Sequence, residues 1–139
     1  MLNPESFFNI LIKENINFFS GVPDSFLKNI CNYISDNTTD NNHIIAANEG
    51  NALSIGIGYH LATNNLPLIY LQNSGFGNII NPLLSVADPD VYSIPMLLMI
   101  GWRGEPNIKD EPQHKKQGRV TEELLKSLEI PFSILSSET

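Results

Sequence analysis

The fold is decided by the stretch from Ile44 to Asn81, which reads IIAANEGNALSIGIGYHLATNNLPLIYLQNSGFGNIIN. Within it, two apolar segments, Ile44–Ala47 and Pro67–Leu71, are each followed by a turn and then by a helical pattern. Apolar strands without polar alternation are typical of a parallel sheet that is covered on both faces. The stretch therefore predicts two consecutive strand–turn–helix units of such a sheet.

The rest of the chain continues the alternation of strand and helix. A capping Asn3, Pro4 at the first helical position and Glu5 in the first turn predict an N-terminal helix. The remaining patterns predict strands at Ile16–Ser20, Ile94–Ile100 and Pro131–Leu135, and helices capped by Asp24 or Ser25, spanning Asn78–Val86, and capped by Thr121. This order predicts an α/β fold: a three-layer, doubly wound, mainly parallel sheet with helices on both faces.

Length, composition and net charge exclude several classes of protein. With 139 residues, of which 42% are hydrophobic, the chain is expected to form one domain with a real core. A net charge of −7 argues against a nucleic-acid-binding protein, which would normally be basic. No apolar run is long enough to cross a bilayer, and the first residues, MLNPESFF, do not read as a secretory signal. Because Cys31 is the only cysteine, no internal disulfide can form, and we expect a cytoplasmic protein.

The helix predicted over Glu49–Thr63 is unusual because it is apolar on nearly all sides. A helix of this kind is usually buried all round. Since one side can face the sheet, we expect the other side, together with the helix Asn78–Val86, to face a partner chain in a homo-oligomer. The interior glycines Gly56 and Gly58 also have a simpler explanation, which is tight packing of helix on sheet within the domain.

Ligands of parallel α/β sheets bind beyond the carboxyl ends of the strands. Four segments fall there, namely Val22–Ser25, Asn48–Glu49, Asn73–Asn78 and Gly101–Arg119. Glu49 opens a helix at this edge, where its carboxylate can hydrogen-bond a ligand; the alternative is an ordinary first-turn acid. Ser74–Asn78 offers backbone N–H groups at the next helix start. It lacks the Gly-Lys-Ser/Thr of a Walker loop and the third glycine of a dinucleotide fingerprint, so a plain turn is equally open.

The segment Gly101–Gly118 is polar, aperiodic and rich in Pro and Gly, which predicts a long functional loop. Basic side chains cluster in this loop and directly after it: Arg103, Lys109, His114, Lys115, Lys116 and Arg119. Such a cluster in an acidic protein would suit a small anionic substrate. The alternative is a solvated loop whose charge is neutralised by its own acids, Glu105, Asp110 and Glu111. His43 and His60 lack companions at metal-ligand spacing, so we predict no metal site within the chain.

Three segments at this edge make the chain recognisable: Ala47–Ala52 (ANEGNA), Gly58–Thr63 (GYHLAT) and Asn73–Asn78 (NSGFGN). Their order and spacing resemble the pyrimidine-binding domain of thiamine-diphosphate enzymes. More specifically, Gly21–Ser25 (GVPDS) and the run Gly104–Arg119 (GEPNIKDEPQHKKQGR) resemble the phosphonopyruvate decarboxylases, and less closely the alpha subunit of sulfopyruvate decarboxylases. The likeness covers nearly the whole chain, and the long loop is its most specific part.

The resemblance implies thiamine diphosphate as the cofactor and decarboxylation of 3-phosphonopyruvate to phosphonoacetaldehyde and CO₂ as the reaction. It implies that Glu49 hydrogen-bonds N1′ of the aminopyrimidine ring and that His114 is a proton donor, which makes these two the catalytic candidates. By the same resemblance, the cofactor-binding candidates are Glu49, Ser74, Gly75, Phe76, Gly77 and Asn78. The substrate-binding candidates are Asp24, Ser25, Arg103, Lys109, Lys115, Lys116 and Arg119, with the choice among the basic residues left open.

One departure from the family bears on domain organisation. The family binds the diphosphate through Mg²⁺ on a second domain with a Gly-Asp-Gly motif, and no Gly-Asp pair occurs in this chain. We therefore expect residues 1–139 to be a pyrimidine-binding domain that works with a separate diphosphate-binding domain or subunit. The chain stops at Ser136–Thr139, where a further helix would follow, which favours a truncated piece that lacks its last elements. A sulfopyruvate decarboxylase alpha subunit and a non-catalytic interaction module with the same fold are the alternatives.

Overall fold

Parallel strands and helices alternate along the chain in the computed structural model, which describes residues 3–135. The elements are α1 Pro4–Lys13, β1 Phe18–Gly21, α2 Lys28–Asn37, β2 His43–Ile45, α3 Glu49–Thr63, β3 Pro67–Gln72, α4 Phe76–Pro82, β4 Leu97–Gly101 and α5 Pro112–Ser127. A 3-10 turn, Asn73–Gly75, precedes α4, and a π-helical turn, Leu83–Ala87, follows it. The helix predicted over Asn78–Val86 is thus observed as α4 together with this π-helical turn. The predicted cap of α1 is confirmed, because Asn3 Oδ1 accepts a hydrogen bond from Ser6 N at 2.9 Å.

The strands form one sheet in the order β2-β1-β3-β4, and every neighbouring pair is parallel. The register places Gly21 beside Ile45 and Tyr70, and it places Gln72 beside Gly101. The carboxyl ends of the strands therefore lie along one edge of the sheet, termed the carboxyl edge below. The segments that follow the strands are brought together at this edge.

Two apolar cores cover the two faces of the sheet. On one face, α1 and α2 pack on the sheet around Phe19 and Ile34. On the other face, α3, α4 and α5 contribute Leu53, Ile79 and Leu125 to the second core. The prediction of a three-layer, doubly wound α/β fold with helices on both faces is confirmed.

Helix α3 has the predicted bounds but buries only one of its faces within this chain. Leu53 is fully buried, and Gly56 lies directly on the sheet, where a Cβ would come 2.6 Å from Ile69 Cδ1. On the opposite face, Gly58 has open space around it and Leu61 is 66% exposed. Tight packing of helix on sheet therefore explains Gly56 but not Gly58, and the outer face is left uncovered by residues 3–135.

Strand β2 is less buried than the sequence predicts. The apolar segment Ile44–Ala47 predicts a strand that is covered on both faces, whereas β2 spans His43–Ile45 and Ile45 is 60% exposed. This prediction was wrong because β2 lies at the end of the strand order, where only β1 pairs with it and little packs over it.

The C-terminal helix begins well before the predicted position. Helix α5 starts at Pro112, so the predicted loop Gly101–Gly118 is wrong in its second half, and Thr121 is a buried mid-helix residue rather than a cap. Proline is tolerated in a first helical turn, and the Thr121 hydroxyl donates to the Gln117 carbonyl oxygen one turn back, at 2.7 Å. Gly118 lies inside the helix, at a position that requires glycine because a Cβ there would come 1.7 Å from the Gly104 carbonyl oxygen.

Two further predictions of element bounds are wrong. Helix α2 begins at Lys28 rather than after a cap at Asp24 or Ser25, because the Asp24 carboxylate accepts from Phe26 N and Gln72 Nε2 instead. Pro131–Leu135 forms no strand, since none of the strands pairs with it, and its apolar side chains are exposed. The expectation about the chain end at Ser136–Thr139 lies outside the described residues.

Candidate functional site

Glu49 is held at the carboxyl edge by the start of α3. Asn48 is the N-cap of this helix, and its Oδ1 accepts a hydrogen bond from Asn51 N at 2.9 Å, which fixes the first turn. The Glu49 carboxylate then reaches α4, where Oε2 accepts from Asn78 Nδ2 at 2.7 Å. Because the Glu49 residue is only half-buried, its carboxylate is both fixed and accessible.

The glycine-rich loop fits around this carboxylate. A Cβ on Gly75 would lie 2.2 Å from Glu49 Oε1 and 2.3 Å from Glu49 Cδ, so only glycine leaves room for the side chain. Gly75 has φ −78° and ψ −4°, which other residues can adopt, so glycine is needed here for space and not for backbone conformation. Gly50 plays a similar part in α3, since a Cβ there would come 2.9 Å from the Asn78 carbonyl oxygen. The two turns that follow β2 and β3 therefore meet, as the sequence predicts.

The other cofactor-binding candidates differ in exposure. Phe76 is 2% exposed and packs in the second core, so its side chain is a core residue rather than a surface available to a ligand. The hydroxyl of Ser74 is exposed and donates to Gln72 Oε1. Gly77 and Asn78 are exposed, and a Cβ on Gly77 would meet no atom within 4 Å. Among these candidates, the structure brings Gly75 and Asn78 into contact with Glu49.

Asp24 is a buried carboxylate that joins two strand ends. It follows β1, is 7% exposed, and accepts hydrogen bonds from Phe26 N at 3.0 Å and from Gln72 Nε2 at 2.8 Å. Gly101 at the end of β4 makes room for it, because a Cβ there would come 2.3 Å from Asp24 Oδ2. Both carboxylate oxygens thus have partners within the chain, which leaves neither directed at a substrate. Ser25, the next residue, is exposed.

Arg103 is paired with Asp110. Arg103 Nε donates to Asp110 Oδ2 at 2.8 Å and Nη2 donates to Oδ1 at 2.5 Å, while Nη1 donates to Ser25 Oγ at 2.9 Å. The guanidinium carbon also lies 4.7 Å from the centroid of the Phe26 ring. The hydrogen bond from Arg103 holds the pKa of Asp110 well below its usual range, and the same hydrogen bond raises the pKa of Arg103. Arg103 is therefore committed to an internal ion pair.

The remaining basic candidates, on α5 and in the loop before it, differ in how far they are buried. Thr121 and Leu125 are buried on its inner face, and His114 lies on the same face nearer the helix start, where it is half-buried. The other basic candidates are all exposed: Lys109 in the preceding loop, and Lys115, Lys116 and Arg119 on the helix. The ion pairs that form among residues 3–135 involve none of these four side chains.

Polar residues to which the sequence alone assigned no role assemble the carboxyl edge. Asn73 is 1% exposed; its Nδ2 donates to the Arg103 carbonyl oxygen at 2.8 Å and to Thr121 Oγ1 at 3.0 Å. Gln117 Nε2 donates to the Asn73 carbonyl oxygen at 3.1 Å, and Gln72 bridges the turn after β1 and the glycine-rich loop. The partners of Asn73 are 30 and 48 residues away in the chain, so no local pattern could have revealed them.

Comparison with known proteins assigns this domain to a family. Residues 4–125 match the family model described as thiamine pyrophosphate enzyme, N-terminal TPP binding domain. The chain belongs to this family. The pairing of Glu49 with the glycine-rich loop is thus found at the carboxyl edge of a thiamine-diphosphate-binding domain.

Two kinds of relative match the chain. It is 38% identical over 121 residues to a phosphonopyruvate decarboxylase of Streptomyces viridochromogenes, which covers 86% of this chain and 29% of that protein. It is 33% identical over 128 residues to the sulfopyruvate decarboxylase subunit alpha of Methanococcus maripaludis, which covers 92% of this chain and 74% of that subunit. The chain therefore spans under a third of the length of the phosphonopyruvate decarboxylases that it matches.

Solved structures share the fold. Benzoylformate decarboxylase from Polynucleobacter necessarius has a TM-score of 0.61 at 19% identity, over 72% of this chain and 18% of that one. A thiamine diphosphate-dependent 4-hydroxybenzoylformate decarboxylase from Rhodococcus jostii has a TM-score of 0.59 at 22% identity, over the same shares, 72% and 18%. At these identities the likeness shows the fold alone.

Residues 3–135 contain neither a membrane-crossing helix nor a cluster of metal-ligating side chains. None of the helices in this range combines the length and apolar character that a membrane crossing requires. Over the same range, no three side chains of His, Cys, Asp or Glu come together in a way that could hold a metal ion.

Proposed function

We propose that this chain supplies the pyrimidine-binding half of the active site of a thiamine-diphosphate-dependent 2-oxo acid decarboxylase, a carboxy-lyase. The substrate that we propose is 3-phosphonopyruvate, and the products are phosphonoacetaldehyde and CO₂. When bound, thiamine diphosphate supplies the electron-accepting ring that makes loss of CO₂ from a 2-oxo acid possible. Family membership supports the cofactor, and the 38% identity to a phosphonopyruvate decarboxylase supports the substrate.

The placement of the Glu49 carboxylate is the observation that carries this proposal. A carboxylate that hydrogen-bonds a ring nitrogen has to be fixed by its neighbours and yet open to the ligand. Asn78 holds Glu49 Oε2, Gly75 leaves the space that Oε1 occupies, and the residue stays half-buried. This arrangement fits one edge of an aminopyrimidine ring.

Each residue of the site has a separate task in the proposed reaction. Glu49 forms a hydrogen bond with N1′ of the pyrimidine ring and orients the ring, while Asn78 keeps the carboxylate from turning into solvent. The N-terminal end of α3 stabilises the negative charge of this carboxylate. Ser74 and Gly77 are exposed beside it and contribute loop surface to the cofactor. His114, half-buried on the inner face of α5, holds the proton that the product takes up.

The proposed contact with the phosphonate comes from basic residues that have no internal partner. Arg103 does not belong to this group, because its guanidinium is paired with Asp110. The exposed side chains without an ion pair in residues 3–135 remain, namely Lys109, Lys115, Lys116 and Arg119. From the turn after β1, Ser25 is exposed and stays a substrate candidate, whereas Asp24 is better described as the residue that shapes this turn.

Sulfopyruvate is the second candidate substrate. Sequence similarity supports it, because the chain is 33% and 37% identical to two sulfopyruvate decarboxylase alpha subunits. Both substrates are 2-oxo acids that carry a tetrahedral anionic group, so the same cations would serve either. A non-catalytic interaction module is less well supported, since it would not need the fixed and accessible carboxylate of Glu49.

We also propose two partners. A separate domain or subunit binds the diphosphate end of the cofactor and its Mg²⁺, because this chain has no Gly-Asp pair. A second copy of the chain binds the outer faces of α3 and of the helical segment after β3, where Leu61 and Leu84 are 66% and 42% exposed.

Reconstitution of activity tests the proposed function. The chain is combined with a separately produced diphosphate-binding partner, Mg²⁺, thiamine diphosphate and either 3-phosphonopyruvate or 3-sulfopyruvate, and aldehyde formation is measured. We expect turnover of 3-phosphonopyruvate and a loss of about 10²-fold or more in Glu49→Gln, which keeps the shape of the side chain but removes its charge. Glu123→Gln, the same replacement on an exposed part of α5, is the matched control.

Each outcome of the reconstitution assigns the chain differently. Faster turnover of 3-sulfopyruvate would assign it to the second candidate. Full activity of Glu49→Gln would remove Glu49 from the mechanism. A chain that binds the partner but produces no aldehyde from either substrate would be an interaction module.

A further inference from the structure

We propose that Arg103 and Asp110 form a positioning pair, which fixes the loop Gly104–Asp110 and the first turn of α5 instead of binding the substrate anion. The inference rests on the proposed function and deepens it, because this loop and helix carry most of the substrate candidates. It assigns a task to two residues that the reaction scheme above leaves without one.

Arg103 is fully engaged by other residues of the chain. All three guanidinium nitrogens donate hydrogen bonds, two to the Asp110 carboxylate and one to Ser25 Oγ. One face of the guanidinium lies on the Phe26 ring, and the side chain is only 16% exposed. A paired, stacked arginine of this kind is held in one orientation. It therefore joins the end of β4 to the turn that follows β1.

Asp110 closes the loop from its other end. Besides Arg103, the carboxylate accepts from Gly104 N at 2.7 Å and from Glu111 N at 2.7 Å, and its side chain is 6% exposed. The bond from Gly104 fastens the two ends of the loop together. The bond from Glu111 reaches the N-cap residue of α5, a position at which the Glu111 side chain makes no capping bond. One carboxylate thus organises both the loop and the start of the helix.

The contact between Gly104 and α5 transmits this geometry to His114. Gly104 has φ +70°, and a Cβ there would come 2.0 Å from the His114 carbonyl oxygen, so the loop backbone rests directly on the first turn of the helix. Gly118 makes the same close approach one turn later, with a Cβ position 1.7 Å from the Gly104 carbonyl oxygen. Any shift of Gly104 would therefore move the backbone that carries His114.

The positioning role and an anion-binding role predict opposite results when Asp110 is removed. If Arg103 bound the substrate anion, freeing it from Asp110 would strengthen substrate binding. If the pair positions the loop, loss of either partner loosens the same segment and impairs the reaction itself. Replacing both partners together would then lower kcat no more than replacing one of them.

The test compares Arg103→Gln, Arg103→Lys, Asp110→Asn and the double variant Arg103→Gln/Asp110→Asn. Lys126→Gln, which breaks an exposed ion pair at the far end of α5, is the matched control. Amide hydrogen exchange is measured on the full chain, comparing residues 104–114 with β3. The kcat and KM for 3-phosphonopyruvate are measured for the chain assembled with its diphosphate-binding partner, Mg²⁺ and thiamine diphosphate.

We expect each variant of the pair to accelerate exchange over residues 104–114 by about tenfold or more while β3 exchanges as in the native chain. We expect kcat to fall by about tenfold with KM changed by less than about threefold, and the double variant to match the single ones. Arg103→Lys should not rescue kcat, because an ammonium group cannot reproduce the two-pronged contact.

A lower KM in Asp110→Asn, or native kcat in Arg103→Lys, would overturn the proposal. Native exchange over residues 104–114 in Asp110→Asn would also overturn it. Equal acceleration in β3 would show that the pair supports the whole fold and would contradict a local role. If the assembled protein decarboxylates neither substrate, the proposed function fails, whereas the exchange comparison still decides whether the pair positions this segment.

Discussion

Replacing Gly75 by alanine should separate the stability of the domain from the function of Glu49. The backbone conformation of Gly75 suits alanine, so the substitution introduces no strain in the main chain. Its Cβ would, however, come 2.2 Å from Glu49 Oε1, well inside an ordinary contact distance. The atoms in the way are Oε1, Cδ and Cγ of Glu49, which all belong to a flexible side chain that can turn aside. The carboxylate would therefore move while the helices stay in place.

The size of both effects follows from this geometry. To restore ordinary contact, the Glu49 carboxylate has to shift by about 1 Å, and a misplacement of that order can cost about 10²-fold in rate. The hydrogen bond from Asn78 to Glu49 is lost or lengthened by the same shift. For stability, alanine at a compatible backbone conformation restricts the unfolded chain and gains about 0.4–1 kcal/mol, which offsets the lost hydrogen bond, so the net change should stay within about 1 kcal/mol.

Two measurements on one protein preparation test this reasoning. Aldehyde formation by the assembled enzyme gives the change in rate, and urea unfolding of the chain gives the change in stability. Gly77→Ala is the comparison, because a Cβ at Gly77 meets no atom within 4 Å. We expect Gly77→Ala to be at least as stable as Gly75→Ala and to lose far less activity. Equal activity in the two variants would refute the link between the shape of the loop and Glu49.

Three further outcomes follow from the structure. Asn73→Ala should lower the free energy of unfolding by about 2–4 kcal/mol in urea titrations, because it removes the bonds that Asn73 makes to Arg103 and Thr121 in a buried site. An unfolding midpoint equal to that of the native chain would contradict this. Burial lowers the pKa of His43, whose Nε2 faces the Tyr70 hydroxyl at 2.8 Å, so below pH 6.5 the folded chain binds fewer protons than the unfolded one. The free energy of unfolding should therefore fall as the pH drops from about 6.5 toward the folded pKa, and it should fall less in His43→Gln. Gly58→Arg should abolish self-association in light scattering without lowering stability, because the Gly58 position is open within the chain; a native chain that is monomeric at the same concentration would refute the proposed contact.

The meeting of Glu49 with the glycine-rich loop could be predicted because each part of it is local. An apolar strand followed directly by a helical pattern fixes the turn between them, and parallel strands place such turns at one edge. The prediction needed only the order of the elements, and the structure confirms that the two turns lie at one edge. The contacts of Gly75 and Asn78 with Glu49 are what the structure adds. The start of α3 at Glu49 could also be predicted from the sequence, since the preceding Asn48 is a typical N-cap residue.

The pairing of Arg103 with Asp110 could not be chosen from the sequence because both residues lie in the loop between β4 and α5, where no regular period relates one side chain to another. The sequence allowed either a cation cluster for an anion or a loop that neutralises its own charge. For Arg103 and Asp110 the second alternative is the correct one. The early start of α5 was missed for a related reason. Gly118 suggests a loop, but it lies inside a helix, where the close approach of the Gly104 backbone leaves room only for glycine.

The long loop and the start of α5 therefore contain two kinds of residue. Some are committed to internal contacts: Gly101 accommodates Asp24, the Trp102 indole donates to the Gly118 carbonyl oxygen at 2.8 Å, and Gln117 bonds to the backbone of Asn73. A residue whose groups are used in such internal contacts cannot also bind the substrate. If the proposed function holds, discrimination between a phosphonate and a sulfonate has to come from the uncommitted side chains. These are Lys109, Lys115, Lys116 and Arg119, together with whatever surface the diphosphate-binding partner presents. The motif that makes the chain recognisable is thus mainly a description of how the edge is built, and substrate choice depends on the residues between its fixed points.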